Sequence, residues 1–414
     1  MVLELGYIEI KDLVFGQETR VHGSTLVVDQ DAFKEALRSG DDRIQGLNLA
    51  LAKPGQSTRI ICVKDVIEPR CKVDGHSVGE GRTHILRNVA VVSCGKIVGF
   101  QEGLIDMSGA GAEHSPFSRT LNLVVEVEVA PELPPHAHEE VVRHAGLKAA
   151  GLLAEAARTL RPAEVERYHC LDTLEGGPKL PRVAYLYMLL SQGLLHDSYV
   201  LGRNAREGLP CIIPLPLLMD GAITSGNCVS ACDKNTTYHH QNNPLVRELY
   251  QHHLQELNFA GVVLTNEPVR LAAKEASARK AVELVKTLKA DAVIISKEGF
   301  GNPDTDQMLL IRGLEEAGVL TVSITDEYAG DNGASQSLAD ATPQARAMIS
   351  VGNANERILL PPMERLLGPL EDLTRLAGAY PHSLHQDGSL EVELQAIIGS
   401  TNQLGFHTLR CREV

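Results

Sequence analysis

The stretch Asp291-Ala-Val-Ile-Ile-Ser-Lys-Glu298, Gly299-Phe-Gly-Asn-Pro-Asp-Thr-Asp306 and Val319-Leu-Thr-Val-Ser-Ile-Thr-Asp-Glu327 decides the fold class. Its two apolar, β-branched runs predict buried strands, and residues 303–317 between them predict a helix. Further strands are predicted at 182–190, 211–219 and 261–267, and further helices at 244–257 and 268–288. Alternating strands and helices indicate a doubly wound, mostly parallel, Rossmann-like sheet.

The first half of the chain has a different pattern. Short apolar runs separated by turn residues predict strands at 3–10, 22–28, 44–51, 58–66, 85–100 and 121–129. A helix is predicted at 134–160. We therefore predict a β-rich domain with a covering helix at 1–175, an α/β domain at 176–368, and a tail at 369–414 that packs on the core. Asn243 and Asn302 each precede a proline, which predicts two helix N-caps.

Composition excludes several classes of function. The chain has 414 residues and a formal net charge of −14, which argues against sequence-independent binding of nucleic acid. No apolar run is long enough to predict a membrane span. The first residues lack the basic start and apolar core of a signal peptide. The eight cysteines have no paired spacing, which favours a reducing, cytoplasmic compartment.

The loop from Asp220 to Asn235 contains the dipeptide Asn227-Cys228 among small residues. A cysteine can attack the preceding carbonyl and convert the amide into a thioester. Loss of the α-proton then expels the sulfur, and hydrolysis of the resulting dehydroalanine leaves a pyruvoyl group. Flanking residues such as Gly226 suit the unusual backbone angles that such a loop needs. Cys228 is therefore a candidate pyruvoyl precursor, with Asn227 on the other side of the cleaved bond.

Three other interpretations of this dipeptide stay open. It can be an ordinary turn with an inert thiol. Asn227 can also cleave its own peptide bond through a succinimide, which leaves Cys228 intact. The spacing of Cys228 and Cys232 weakly suggests metal or redox chemistry, but it is not Cys-x-x-Cys and no second pair accompanies it.

Acidic residues follow the predicted strands of the second half. Glu267, Glu298, Asp326 and Glu327 stand at strand ends, and Asp220 follows the predicted strand 211–219. Because the carboxyl ends of parallel strands meet at one edge, we expect these acids near the Cys228 loop. There they would suit an ammonium substrate or proton transfer during maturation. Each acid alone is also explained by the helix dipole.

Nucleotide and metal sites are not predicted. The loop 299–306 resembles a Gly-rich phosphate loop only superficially, since Asp304 and Asp306 would repel a phosphate. None of the 16 histidines belongs to a set with zinc spacing. Two of them, His239 and His240, are candidate bases for self-processing because they lie close to Cys228 in sequence.

Long strings of the sequence carry a family resemblance. They are Leu3-Glu-Leu-Gly6, Val63-Lys-Asp-Val-Ile-Glu-Pro-Arg70, Gly95-Lys-Ile-Val-Gly-Phe-Gln-Glu-Gly-Leu-Ile-Asp-Met-Ser-Gly109, Gly226-Asn-Cys-Val-Ser-Ala-Cys-Asp-Lys234, Glu298-Gly-Phe-Gly-Asn-Pro-Asp-Thr-Asp306, Thr325-Asp-Glu-Tyr-Ala-Gly330, Ser335-Gln-Ser-Leu-Ala-Asp340, Gly352-Asn-Ala-Asn-Glu356 and Ala396-Ile-Ile-Gly-Ser400. With them the chain resembles, from end to end, the proprotein subunit of component B of glycine/sarcosine/betaine reductases.

The resemblance implies a self-cleaved subunit with a covalent pyruvoyl group at former Cys228, which holds a small amine substrate as a Schiff base. It implies a selenocysteine-containing component B subunit whose selenol attacks the α-carbon. A small carrier selenoprotein then takes the carboxymethyl group, and a third component forms acetyl phosphate. Betaine, a quaternary amine, cannot form a Schiff base. The stretch from Val73 to Arg82 is shorter than expected for the glycine-acting members, which leaves the substrate open.

Three other functions stay open beside this one. A D-proline reductase-like proprotein would open a ring instead of releasing an amine. A pyruvoyl decarboxylase would act without a selenol partner. A Rossmann-like assembly subunit would keep the Asn227–Cys228 bond intact.

Overall fold

The computed structural model describes residues 1–95, 103–171, 179–192, 198–226, 231–368 and 376–406. Asn227 and Cys228 lie outside these residues, as do the end of the predicted strand 85–100 and the start of the predicted tail. Within the described ranges, no helix is long and apolar enough to cross a membrane.

The first half is built mainly of strands. The strands are β1 (Val2–Glu9), β2 (Asp12–Gly16), β3 (Arg20–His22), β4 (Thr25–Asp29), β5 (Ile44–Ala52), β6 (Thr58–Ile67), β7 (Arg70–Asp74), β8 (Gly81–Arg87), β9 (Val89–Cys94), β10 (Gly103–Asp106), β11 (Leu121–Val129) and β12 (Glu164–His169). They form three sheets, with the orders β12-β1-β8-β7, β10-β6-β9-β11-β5 and β2-β4-β3. The helices are α1 (Gln30–Arg38) and α2 (Pro135–Glu155), with 3-10 turns at Ala110–His114 and Pro116–Arg119.

Helix α2 is the predicted covering helix. It buries Val141, Ala145, Ala149 and Leu153, which are spaced four residues apart and so share one face. These residues pack into one core with strands β9 and β11.

The second half contains the longer α/β element order. Its strands are β13 (Arg182–Leu189), β14 (Ser198–Val200), β15 (Arg203–Asn204), β16 (Cys211–Ile213), β17 (Ile223–Ser225), β18 (Asn258–Asn266), β19 (Ala292–Ser296), β20 (Leu320–Glu327), β21 (Met348–Asn353), β22 (Arg357–Leu360), β23 (Arg365–Leu367) and β24 (Leu390–Glu393). Its helices are α3 (Leu215–Met219), α4 (Thr237–Gln241), α5 (Pro244–Gln251), α6 (Leu271–Thr287) and α7 (Asn302–Glu316), with a 3-10 turn at Leu394–Ala396.

The main sheet of this half has the order β16-β18-β13-β19-β20-β21. Strands β18, β13, β19, β20 and β21 are parallel, and β16 is antiparallel to β18. The α/β class predicted from the sequence is confirmed. The doubly wound Rossmann-like arrangement is not, because most of the sheets in the described chain are mixed.

Several local predictions were wrong. Residues 22–28 are not one strand: β3 ends at His22, a turn with Gly23 at φ 61° follows, and β4 begins at Thr25. The segment 211–219 is not one strand: it is the short antiparallel β16 followed by helix α3, which begins after Pro214 and contains Pro216. Proline lacks the N–H that a central strand must donate, so it ends β16 and starts the helix. At helix α7 the N-cap is Gly301 and not Asn302, whereas Asn243 does cap α5 and accepts from the Val246 N–H.

Core packing joins the two halves. One apolar cluster contains Leu5 and Ile85 of the first half together with Tyr185 and Val262 of the main sheet. Strand β23 also pairs with β6, although it lies 300 residues later in the chain. The boundaries at 175 and 368 stay predictions.

Candidate functional site

The loop that follows residues 227–230 is fully buried. Cys232, Asp233, Lys234 and Asn235 are at most 1% exposed, and Ser225 on the other side of the segment is 2% exposed. Late chain segments cover this loop: the Gly399 and Thr401 N–H groups donate to the carbonyls of Ala231 and Cys232. Asn402 Nδ2 also donates to Lys234 O and Asn235 Oδ1. The predicted cleavage segment is therefore flanked on both sides by buried, hydrogen-bonded chain.

Glu298 is bonded to the flank that follows residue 230 and to a strand that neighbours the other flank. Its Oε2 accepts from the Leu190 N–H at 2.9 Å and its Oε1 from the Asn235 N–H at 3.0 Å. The Ser198 hydroxyl lies 3.5 Å from Oε2, and Ser198 pairs with Ser225 in the sheet. This predicted acid thus contacts the end of β13, the β14 strand and the loop that follows residue 230.

Lys297 carries the positive charge beside these acids. Its Nζ, fully buried, donates to Asp304 Oδ1 at 2.6 Å and to Gly299 O at 2.9 Å, and lies 3.7 Å from Asp326 Oδ1. Gly299 and Gly301 have φ angles of 73° and 76°, so the turn from β19 into α7 needs glycine. The loop 299–306, which superficially resembles a phosphate loop, therefore contains Asp304 of the Lys297–Asp304 ion pair.

Asp233 and Asp326 form an acidic pair with Cys232. One ligand atom from each of the three lies within 4.8 Å of the others. Burial and the Asp326 charge raise the pKa of Asp233 well above its usual range. Burial also raises the pKa of Asp326 to about 6, against the opposing charge of Lys297. The set has the donor types of a metal site, but a raised carboxyl pKa and a neighbouring ammonium favour a shared proton instead.

The thiol of Cys232 is held in this pair's environment. Its Sγ lies 3.2 Å from the Tyr328 hydroxyl. Burial, followed by the Asp233 and Asp326 charges, raises the pKa of Cys232 well above the ordinary thiol range. It is therefore a protonated thiol and a poor nucleophile in this state.

The remaining predicted acids divide into two groups. Glu267 is fully buried at the end of β18, and burial followed by the charges of Asp306 and Glu298 raises its pKa. Glu327 points elsewhere: its carboxylate accepts from Ser337 at 2.8 Å and from Ser350. Asp220 is also elsewhere, because it follows helix α3.

The Asp220 carboxylate contacts residues in and between strands β7 and β8 of the first half. It accepts from Thr83 Oγ1 at 2.6 Å, from the Gly79 N–H at 2.7 Å and from Lys72. The predicted meeting of four strand ends thus holds for Glu267, Glu298 and Asp326, and fails for Asp220.

The two candidate histidines have structural partners. His239 Nδ1 accepts from the Thr236 N–H at 3.1 Å, which completes the capping box of helix α4. His240 Nδ1 lies 2.7 Å from the Tyr187 hydroxyl. Burial, helped by the Lys234 charge, lowers the pKa of His240 to about 3, so this imidazole stays neutral.

Sequence reasoning missed the polar residues that link the loop to β6. The Thr237 hydroxyl donates to Asp65 Oδ2 at 2.6 Å and accepts from the Ser225 N–H at 2.9 Å. Burial raises the pKa of Asp65 to about 6, although the Lys234 charge opposes the shift. The contacts between β6 and helix α4 span more than 170 residues of sequence, and no local pattern signals them.

The chain is similar to known proteins over nearly its whole length. Residues 1–412 match the family described as glycine/sarcosine/betaine reductase component B subunits. The chain belongs to this family. It is 51% identical to "Glycine reductase complex component B subunits alpha and beta" of Peptoclostridium acidaminophilum, 46% to "Sarcosine reductase complex component B subunit alpha" and 34% to "Betaine reductase complex component B subunit alpha" of the same organism, each over the full length of both chains. No solved structure matches.

The buried charged residues of this chain agree with its membership in an enzyme family. An interior loop with Asp233 and Lys234, both at most 1% exposed, is costly for a purely structural protein. Enzyme sites are where such groups are kept. The enzyme class predicted from the sequence, a reductase component acting on C–N bonds, agrees with the family. A more distant relative, the D-proline reductase proprotein PrdA of Acetoanaerobium sticklandii, is 22% identical over 73% of the chain.

Asp65→Asn is expected to change the pH dependence of stability. The pKa of Asp65 is raised to about 6 in the fold, from about 4 in the unfolded chain, so the fold prefers the protonated form. This contribution is present below pH 4 and is lost as pH rises to 6. Asparagine cannot ionise, so the variant lacks this pH dependence. The free energy of unfolding of the variant minus that of the wild type should therefore be about 2 to 3 kcal/mol larger at pH 7 than at pH 4.

Urea unfolding at several pH values measures this difference, with Asp42→Asn at an exposed position as the control. The control should stay parallel to the wild type. If the wild type instead becomes more stable relative to Asp65→Asn as the pH rises, the fold stabilises the ionised form of Asp65.

Proposed function

We propose that the chain is the substrate-binding subunit of a selenol-dependent reductase that cleaves the C–N bond of glycine or an N-methylated glycine. In this proposal the chain cuts itself between Asn227 and Cys228, and Cys228 becomes a pyruvoyl group. The observation that carries the proposal is the buried polar cluster on both flanks of residues 227–230. Glu298 accepts from Asn235 in the later flank and reaches the earlier flank through Ser198, which pairs with Ser225. Family membership over residues 1–412 supports it.

Self-cleavage needs a nucleophile, a base and a rigid setting. The Cys228 thiol attacks the Asn227 carbonyl carbon, and the peptide C–N bond breaks as the thioester forms. Removal of the Cys228 α-proton then breaks the Cβ–S bond, which leaves the sulfur on the Asn227 carbonyl carbon as a thiocarboxylate. Water replaces the nitrogen of the resulting enamine, releasing ammonia. The buried loop 231–237 and the bonded Ser225 hold both ends of the segment, which favours one reacting geometry.

Glu298 is the proposed base for the α-proton. It is 2% exposed and accepts from backbone N–H groups, so its position is fixed. General base catalysis contributes about 100- to 10,000-fold in rate. Glu298→Gln, which keeps the size and one acceptor oxygen, is expected to slow appearance of the 228–414 fragment by at least about 100-fold.

Gel and mass analysis of freshly made protein over time measures this rate. Glu327→Gln is the matched control, because Glu327 ends the neighbouring β20 strand but bonds Ser337 and Ser350 outside the cluster. Cleavage of Glu298→Gln at the wild-type rate would remove Glu298 from the mechanism.

In the mature protein the pyruvoyl group supplies an electrophilic carbonyl that condenses with a primary or secondary amine. The chain's own residues bind and orient that amine. Asp233, Asp326 and Glu267 are buried acids that suit the ammonium end of a substrate, and Lys297 offsets part of their charge. Because these side chains are buried, their electrostatic interactions with a bound substrate are stronger than they would be in water.

The nucleophile comes from a partner, since the chain contains no selenocysteine. A selenol on a second component B subunit attacks the α-carbon, and the new C–Se bond replaces C–N. The nitrogen takes up the selenol proton, and one water, equivalent to the water lost on condensation, releases it as ammonia or the amine. The carboxymethyl group then passes to a small carrier selenoprotein, and a third component forms acetyl phosphate. We propose a cytoplasmic complex, where thiols and selenols stay reduced.

A second candidate is ring opening of D-proline, which the 22% identity to the D-proline reductase proprotein favours. One experiment separates the candidates. The mature chain, combined with its partner components and a dithiol reductant, is incubated with glycine, sarcosine, betaine or D-proline. The proposal predicts release of ammonia from glycine or methylamine from sarcosine. Trimethylamine from betaine would contradict a mechanism that requires condensation with the pyruvoyl carbonyl, ring-opened product from D-proline alone supports the second candidate, and no product from any substrate contradicts both.

A further inference from the structure

Lys234 is a buried cation whose ammonium makes no hydrogen bond among the described residues. The residue is 1% exposed. Removing an ammonium from water without hydrogen bonds is costly, so such a group is rare in a merely structural position. Lys297, the other buried lysine of the site, has two close partners instead. The Lys234 ammonium is therefore available to a ligand.

The surroundings of Lys234 connect it to the predicted cleavage segment. Its charge acts on the buried carboxyls of Asp65 and Glu139. Asp65 bonds Thr237, whose hydroxyl accepts from the Ser225 N–H two residues before Asn227. Lys234 itself follows Cys228 by six residues. The free ammonium thus lies close to elements that hold both ends of the segment 227–230.

Other polar atoms around the loop are also without partners in the described structure. Asn235 Nδ2 is a donor, whereas Asp233 Oδ2 and Glu267 Oε1 are acceptors. All three residues are fully buried. A buried donor or acceptor without a partner destabilises the fold. A ligand with an anionic end and a cationic end would satisfy both kinds of atom.

We propose that Lys234 binds the carboxylate of the amino-acid substrate. The inference rests on the proposed function, and it adds a residue that distinguishes amino acids from simple amines. A single carboxylate fits better than a phosphate dianion, because Asp65 and Glu139 lie close to the same ammonium and would repel a second negative charge. Binding through one end would leave the amine free to react.

The test uses the mature chain, sodium borohydride and two amines of similar size. Glycine carries a carboxylate, and glycinamide carries a neutral amide in its place. Reduction fixes a condensed amine on the 228–414 fragment, whose mass rises by the amine minus water plus two hydrogens. The concentration that gives half-maximal labelling is read from intact mass spectra. The variant is Lys234→Met, with Lys286→Met on the exposed face of α6 as the control.

Wild-type protein should label with glycine at a concentration at least about ten times lower than with glycinamide, since a charge-assisted bond to a buried ammonium is lost. In Lys234→Met the glycine concentration for half-maximal labelling should rise about 10- to 100-fold, while the corresponding glycinamide concentration changes less than about two-fold. Lys286→Met should match the wild type.

The outcomes separate this inference from the function on which it rests. If wild-type protein labels with neither amine, the proposed pyruvoyl function fails. If wild-type protein labels equally with both amines, the carboxylate role of Lys234 fails and the function stands. Both concentrations are expressed as unprotonated amine, because glycinamide is a weaker base than glycine and only the free amine condenses. This second comparison then needs no variant, so it decides the matter even if Lys234→Met is not cleaved. Equal losses for both amines in Lys234→Met would assign Lys234 a structural role instead.

Discussion

Cys228→Ala is expected to remain one uncut chain of 414 residues with no reactive carbonyl. Alanine has no nucleophile, so neither the thioester nor the pyruvoyl group can form. The expected loss of cleavage is complete. Mass spectrometry of the denatured protein measures the loss of cleavage, and labelling with a carbonyl-reactive hydrazide measures the loss of the reactive carbonyl. Cys228→Ser should cleave slowly or not at all, because a hydroxyl is a weaker nucleophile than a thiolate.

Cys211→Ala is the matched control for this change. Cys211 lies half-buried in the short edge strand β16, and its loss should leave cleavage at the wild-type rate. Rapid cleavage of Cys228→Ala would point to the succinimide route, in which Asn227 acts alone. Rapid normal maturation of Cys228→Ser would count against a step that begins with a thiol.

Lys297→Met is expected to give the largest loss of stability. The ammonium is fully buried against Asp304 and Asp326, whose oxygens lie 2.6 and 3.7 Å from Nζ. Methionine fills similar space but leaves these buried carboxylates without their cation. Breaking a buried ion pair from one side costs about 3 to 5 kcal/mol. Urea unfolding at neutral pH should show this decrease in the free energy of unfolding.

Two comparisons make the Lys297 result specific. Lys286→Met removes an exposed lysine whose partner Glu283 is also exposed, and should change stability by less than about 0.5 kcal/mol. Lowering the pH should reduce the difference in free energy of unfolding between Lys297→Met and the wild type, because protonated, neutral carboxyls are not destabilised by loss of the ammonium. A pH-independent gap would mean that packing, and not charge, is the cause.

The strand and helix pattern of the second half was predictable because its strands are buried and its helices amphipathic. Strand β20, observed at Leu320–Glu327, was predicted at 319–327. The error at 211–219 arose because an apolar run of that length resembles a strand, although Pro214 and Pro216 favour a turn followed by a helix. The same error put Asp220 at the wrong sheet edge.

The candidate site was predictable only where chain order decides position. Glu267, Glu298 and Asp326 follow parallel strands, so their proximity follows from the sheet. Contacts between distant segments leave no local signal. Lys234 and Asp65 are 169 positions apart in sequence, and a lysine in a polar loop is ordinarily exposed. Its burial depends on cover from residues 399–402, which only the folded structure provides.

The most direct test of self-cleavage is the intact mass of the purified wild-type protein, with and without borohydride. Two fragments, 1–227 and 228–414, are predicted. The second should lack the Cys228 sulfur and gain two hydrogens on reduction, or a covalently fixed amine when glycine or sarcosine is present. A single uncut chain in an active complex, or a second fragment that begins with an intact cysteine, would contradict the pyruvoyl mechanism.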